Sequence, residues 1–290
     1  MLTIENEFLK VAVNEKGGSM TSIYDKKRGK ELLYQPIKDS WKGQDVFIFP
    51  FVARLVDQTY TYRGKSYSMK NHGLIRYMTG KGESDRTSLH VDFHSDEDTL
   101  LHYPFSFFAS SHYELKGNVL LVSYVIRNES EEDMPYMVGG HPAFLLPGTR
   151  TDKEFDISGN KIVFEKKTGL VRITQEETCS FNTGVEDYGT VKEIPLSKKL
   201  FEKINTYIFK ADGFDTIRLE KSDASSITMR KKSKYLALWS GNSYGNFVAI
   251  EPWNGIPDYQ DADPELDRKI GMNILSPKQE TTFSYSLEIK

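Results

Sequence analysis

The sequence predicts an all-β protein, a large antiparallel β-sandwich, from three observations. Apolar residues recur with a period of two over most of the chain, only one short segment has helical spacing, and aromatic residues make up 12% of 290 residues. The two periods separate strand from helix because side chains alternate faces along a strand and return every 3.6 residues on a helix. Leu2-Thr3-Ile4 and Leu9-Lys10-Val11-Ala12-Val13 open the chain as strands before the turn at Glu15-Lys16-Gly17-Gly18. Ser110 to Leu115 and Val119 to Ile126 read as a hairpin, with Gly117-Asn118 supplying a turn that needs positive φ. Short strands continue at Asp215 to Leu219, Ser226 to Met229, Leu236 to Trp239, Phe247 to Ile250 and Thr282 to Ile289. The helical segment is Ser197 to Ile204, where Leu200, Phe201 and Ile204 share a side after Pro195, a turn or two at most. Seventeen Phe, sixteen Tyr and three Trp suit both pleated sheets and carbohydrate sites. No Gly/Ser linker, low-complexity tract or fixed-period repeat divides the chain, so one domain over residues 1–290 is expected, with strands that must pack sheet on sheet.

Charge and cysteine usage narrow the function. Thirty-eight Lys and Arg against 41 Asp and Glu give a net charge of −3, so no positive field favours nucleic acid. The single cysteine, Cys179, excludes an intrachain disulfide and any multi-cysteine metal site, and it suits a reducing compartment. Acidic residues in Met1 to Glu7 do not resemble a signal peptide, and the longest strongly apolar stretch, Val46 to Ala53, is far short of the roughly 20 residues that span a bilayer. A cytoplasmic protein with no membrane partner is the expectation, as a monomer or homodimer.

Three features carry no chemistry on this reading. His90, Asp92 and His94 alternate with Leu89, Val91 and Phe93, so they form the solvated face of a half-buried strand rather than a metal site. The acidic residues Asp258, Asp261, Asp263, Glu265 and Asp267 lack the calcium-loop pattern and read as a polar surface loop. Gly-rich nucleotide motifs and a Gly-x-Ser-x-Gly elbow are missing.

Four segments put a polar residue in an apolar or glycine setting. In Phe49-Pro50-Phe51-Val52-Ala53-Arg54, an Arg closes an apolar run; it is either functional or snorkels to water. His72 in Lys70-Asn71-His72-Gly73 sits beside a Gly that permits close approach; a loop His without a role is the alternative. His141 in Gly139-Gly140-His141-Pro142-Ala143-Phe144 follows two glycines and precedes a proline, a constrained backbone for a proton-transfer group; a packed core His is the other reading. Glu251 in Ala249-Ile250-Glu251-Pro252-Trp253-Asn254-Gly255 continues a strand among apolar residues. There burial raises a carboxyl toward the range of a general base, and the Trp253 ring can stack on the C–H face of a sugar. A buried ion pair would also explain Glu251.

In this order, and with Trp41, Tyr62 to Tyr67 and Tyr103-Pro104-Phe105, these segments resemble the aldose 1-epimerase (galactose mutarotase) family, and within it the branch found in bacterial lactose operons. The resemblance runs over nearly the whole chain. It implies the galactose mutarotase-like supersandwich and a cofactor-free isomerase that protonates the ring oxygen of a hexose and deprotonates its C1 hydroxyl. By position, the resemblance makes His141 the acid, Glu251 the base, and Arg54, His72, Asn205 and Trp253 substrate-binding residues, with no metal. Two departures bear on the sugar. Gly140 and Pro142-Ala143-Phe144 flank the acid where better-known mutarotases have Asn before it and Tyr-Phe-Asn-Leu after it, and Asn205-Thr206-Tyr207-Ile208-Phe209 carries an amide where the branch has an Asp. Losing that charge eases acceptance of an anionic sugar. A hexose-6-phosphate mutarotase would use Arg54, Arg63 and Arg76 as a cationic rim; a sugar-binding or sensing protein would have no need of a matched acid and base.

Overall fold

Alternating burial commits this chain to strands, and the computed structural model describes residues 1–37, 40–148, 156–177, 180–241 and 245–290. Cys179 lies outside the described residues. The strands Leu2–Glu5, Leu9–Asn14, Ser19–Asp25 and Lys30–Glu31 form a first sheet in sequence order. A second, fifteen-stranded sheet starts at Phe47–Ile48 and runs through Val138–Gly140, Phe247–Asn254, Tyr235–Trp239 and Thr206–Lys210 to the long strand Lys161–Gln175. From there it continues through Thr216–Glu220, Ser226–Lys231, Glu280–Ile289, Val119–Asn128, Phe107–Lys116 and Ser88–His94 to Lys81–Ser84, and neighbours along it run antiparallel.

The two sheets share one core, as the alternating patterns require. Val11, Val13, Met20 and Ile23 of the first join Val91, Phe93, Ala109 and Tyr113 of the second in one core, and the Tyr113 hydroxyl donates to the Gly18 carbonyl at 2.6 Å. The predicted hairpin forms with Lys116 opposite Val119, leaving Gly117-Asn118 as its two-residue turn. His90, Asp92 and His94 lie on the outer face of Ser88–His94, with Leu89, Val91 and Phe93 buried beneath.

The short helical segment expected within Ser197 to Ile204 is present as one 3-10 turn, Lys198–Phe201, capped by the Ser197 hydroxyl on the Leu200 N–H. Two elements differ from expectation. A six-residue α-helix, Glu97–His102, was not expected; its signal is the Asp96/Thr99 capping box rather than an apolar stripe. Asp258 is 5% exposed and bonds the equally buried Lys269 Nζ at 2.7 Å, whereas Asp261, Asp263 and Asp267 are exposed as expected. Buried carboxylates need a partner, and the nearby lysine that supplies one is not flagged by a count of acidic residues. Among the described residues no helix is long and apolar enough to cross a membrane.

Candidate active site

Sheet register brings the two predicted proton-transfer residues together. Gly139 pairs with Trp253, and Ala143 pairs with Ala249. Continued across residues 141–142, that register sets His141 opposite Glu251 as cross-strand neighbours, whose Cβ atoms lie roughly 5 Å apart in such pairs. His141 Nε2 is 3.2 Å from Glu251 Oε2, and the residues are 6% and 1% exposed. Residues two apart on a strand share a face, so Glu251 carries Trp253 beside it, and pairing of Trp239 with Ala249 adds Trp239 to the same face. The opposite face of this strand, with Val248 and Ile250, packs into the main core.

The Gly139-Gly140 pair serves space rather than unusual dihedrals, since neither has positive φ. A Cβ on Gly139 would lie 2.5 Å from the Trp253 ring, and one on Gly140 would lie 2.8 Å from that of Tyr285. Gly73 is different: its φ is +78°, and a Cβ there would fall 2.1 Å from the Phe49 carbonyl oxygen. That close passage holds His72, whose N–H donates to the Ala53 carbonyl at 2.9 Å while its Nδ1 accepts the Ala53 N–H at 3.2 Å. Accepting at Nδ1 leaves the proton of the neutral ring on Nε2. Gly73→Ala is expected to cost about 2–3 kcal/mol in urea unfolding and to weaken sugar binding as His72 is displaced.

Arg54, His72, His141, Asn205, Glu251 and Trp253 all line one cavity of about 320 Å³. Trp41, Asn71, Arg76, Gln175, Ser180 and Trp239 line it as well. The His141 ring packs against both Trp41 and Trp239, with centroids at 5.1 and 5.4 Å, the two indoles themselves meeting edge-on at 5.1 Å, and it meets His72 edge-on at 5.4 Å. Asn205, just before Thr206–Lys210, accepts the Thr206 hydroxyl at 2.9 Å, and its carbonyl accepts the Ser240 N–H at 3.1 Å. Arg63 is a correction: it pairs with Glu132, and its N–H donates to Glu265 at 3.0 Å, so it does not line this cavity. Arg54 and Arg76 do, and neither has a carboxylate partner among the described residues. Among the described residues no group of three or more His, Cys, Asp or Glu could hold a metal ion.

Burial dominates the electrostatics. It pushes His141 down to about 3 and, together with the neighbouring His141, Arg76 and Arg54, holds His72 well below the usual imidazole range. Glu251 is held well above the carboxylate range by burial first and then by the carboxylate of Asp45, against the opposing Trp253 indole. The 3.2 Å His141–Glu251 contact is too poorly aligned to be a hydrogen bond: His141 Nδ1, Glu251 Oε2 and Trp253 Nε1 are buried without an aligned partner among the described residues. Unpaired polar atoms of this kind are rare in protein interiors and mark places where another group is received.

The buried Asp258–Lys269 pair braces the cavity wall. Asp258 accepts the Val56 N–H at 3.1 Å, its own N–H donates to the Arg54 carbonyl at 3.2 Å, and its carbonyl accepts the Asn182 N–H at 2.8 Å. This one residue therefore ties the Arg54 segment to the strand Asn182–Pro195.

The family model described as aldose 1-epimerase matches residues 1–287. The chromosomal LacX protein of Lactococcus lactis subsp. lactis is 25% identical, over 99% of both chains. A galactose mutarotase related enzyme from Lactobacillus acidophilus superposes with a TM-score of 0.92 at 29% identity, over 100% of this chain and 97% of that one. A galactose mutarotase-like protein from Lactobacillus casei gives 0.91 at 24% identity over the whole of both chains. With the match running from the first residue through both short strands beside His141 and past the strand that carries Glu251, this chain belongs to the aldose 1-epimerase family.

Proposed function

We propose that this protein is a cofactor-independent aldose 1-epimerase that interconverts the α and β anomers of an aldohexose or a close relative, with His141 as acid and Glu251 as base. The observation that carries the reading is the buried His141–Glu251 contact, opening on a cavity edged by unpaired polar atoms. Protonated His141 donates to the ring oxygen as the C1–O5 bond breaks, and Glu251 takes the proton from the C1 hydroxyl, leaving an open-chain aldehyde. After rotation about C1–C2 the two transfers reverse, and attack of O5 on the other face of C1 gives the opposite anomer. The pair holds one proton throughout: in the empty site it rests on Glu251, the group of higher proton affinity, it passes to His141 across the 3.2 Å contact as the sugar engages, and Glu251 regains a proton from the C1 hydroxyl as the ring opens. Both transfers are proton movements between oxygen and a side chain, with no change of oxidation state. Trp253, Trp41 and Trp239 offer faces to the sugar ring, and His72 and Asn205 offer hydrogen bonds to its hydroxyls.

The proton count sets the pH dependence. With His141 pushed to about 3, the pair takes a second proton only in acid; with Glu251 raised by burial, it keeps its one proton to a pH above the usual carboxylate range. A bell-shaped kcat/KM profile is expected, falling near pH 3 as the pair becomes doubly protonated and falling on the alkaline side as the last proton leaves. The test is polarimetric or NMR mutarotation of freshly dissolved α-glucose and α-galactose. No acceleration with binding still detectable would replace this reading with a sugar sensor.

The unpaired Arg54 and Arg76 guanidiniums favour a second reading, a hexose-6-phosphate mutarotase with the same acid and base. On that reading Arg76→Ala raises KM for glucose 6-phosphate at least about tenfold and leaves free glucose within about threefold. Equal effects on both sugars would reject it.

A further inference from the structure

A second carboxyl stands behind the acid–base pair. Asp45, just before Phe47–Ile48, is 4% exposed; its Oδ1 accepts the His141 N–H at 3.3 Å and its Oδ2 the Met20 N–H at 3.2 Å. It has no cationic partner among the described residues. Three buried phenols from other strands feel its charge: Tyr113, Tyr124 and Tyr285, the last two with hydroxyls 3.5 Å apart. The titratable and charged groups around Glu251 are thus His141 opposite, Asp45 behind, and His72, Arg54 and Arg76 around the cavity. Lys16, Lys42 and Arg76 line the pocket that Asp45 borders, but neither carboxyl forms an ion pair with a guanidinium or ammonium among the described residues, and two carboxyls this dry cannot both ionise at low cost.

We propose that Asp45 is a positioning residue that keeps the pair loaded: it anchors the main chain of His141 and carries the cluster's one negative charge, so that Glu251 and His141 keep the proton they exchange with the sugar. The inference rests on the acid–base reading given under Proposed function. Asp45 suits this role because three backbone N–H groups, of Met20, His141 and Val46, stabilise its ionised form against the dominant effect of burial. The balance leaves it at about 6, whereas Glu251 is driven well above the carboxylate range with only the indole in opposition. At neutral pH the charge therefore rests on Asp45 and the proton on the pair.

The test is a titration of the Glu251 side-chain carboxyl by ¹³C NMR, assigned by difference from Glu251→Gln, in wild type and in Asp45→Asn. It is run beside the pH profile of mutarotation. Asn keeps an oxygen acceptor for the His141 N–H but removes the charge. The Glu251 midpoint is expected to fall by about 1 unit or more, and the alkaline limb of kcat/KM to move to lower pH with it, with KM little changed. An unmoved midpoint and limb, with only kcat or stability reduced, would mean a purely structural Asp45 and overturn the inference. Asp45→Ala, which lacks the acceptor, is expected to lose kcat further than Asp45→Asn. The two readings separate cleanly: a moved midpoint with no mutarotation in wild type sinks the epimerase proposal alone, and an unmoved midpoint in an active enzyme sinks this one alone.

Discussion

Glu251→Gln is expected to slow mutarotation by about 10²–10⁴-fold, the usual worth of a positioned general base, while changing sugar affinity by no more than a few-fold. The variant keeps the side chain's size in a site that is 1% exposed, so packing beside Trp253 and across from His141 is preserved and only the proton acceptor is lost. His141→Ala should lose a similar factor, and the double variant little more than either alone, because the two residues move one proton between them. Mutarotation rates beside titration calorimetry with the same sugar check this. Full activity in Glu251→Gln would end the mechanism proposed above.

Lys269→Met is expected to destabilise the fold by about 3–5 kcal/mol, because it leaves the Asp258 carboxylate buried with its charge uncompensated. Both side chains are nearly inaccessible, at 1% and 3% exposed, and the 2.7 Å contact sits where Asp258 also holds Val56 and, through its backbone, Arg54. Combining Lys269→Met with Asp258→Asn should recover part of the loss, since the stranded charge is then gone. A urea-denaturation double-mutant cycle measures the coupling; equal and additive losses would argue for simple packing. Sugar affinity should fall in Lys269→Met even where the protein is still folded, because the Arg54 segment loses its brace.

The sequence made His141 and Glu251, the proposed acid and base, legible for a physical reason. A glutamate continuing an apolar strand and a histidine pressed between glycines and a proline each break a local pattern, and such breaks mark places where stability yields to chemistry. Asp45 breaks no pattern: Gln44-Asp45-Val46 reads as a polar approach to an apolar strand. Its surroundings are set by the strand Ser19–Asp25, through the Met20 N–H, and by three buried tyrosines far away in sequence. Trp239 was legible as strand but not as a cavity wall, since alternation gives the face and not what lies above it. Arg63 and Arg76 are alike on paper, yet one follows a strand that pairs it with Glu132 and the other sits in a short 3-10 turn beside the cavity. The long strand Asn182–Pro195 went unread because it is exposed on both faces for most of its length and so shows no alternation.

Because His141 and Glu251 face each other through sheet register rather than across mobile loops, their separation is as durable as the sheet itself. Amide hydrogen exchange along Phe247–Asn254, a strand buried at every position before its last, should then be among the slowest in the molecule. Inactivation by heat or denaturant should follow the same curve as global unfolding, with no earlier loss of function from local fraying around His141 and Glu251. Shifting either strand by one residue would turn one of the two side chains to the far side of the sheet, so natural variation in this region should proceed by substitution rather than by insertion or deletion.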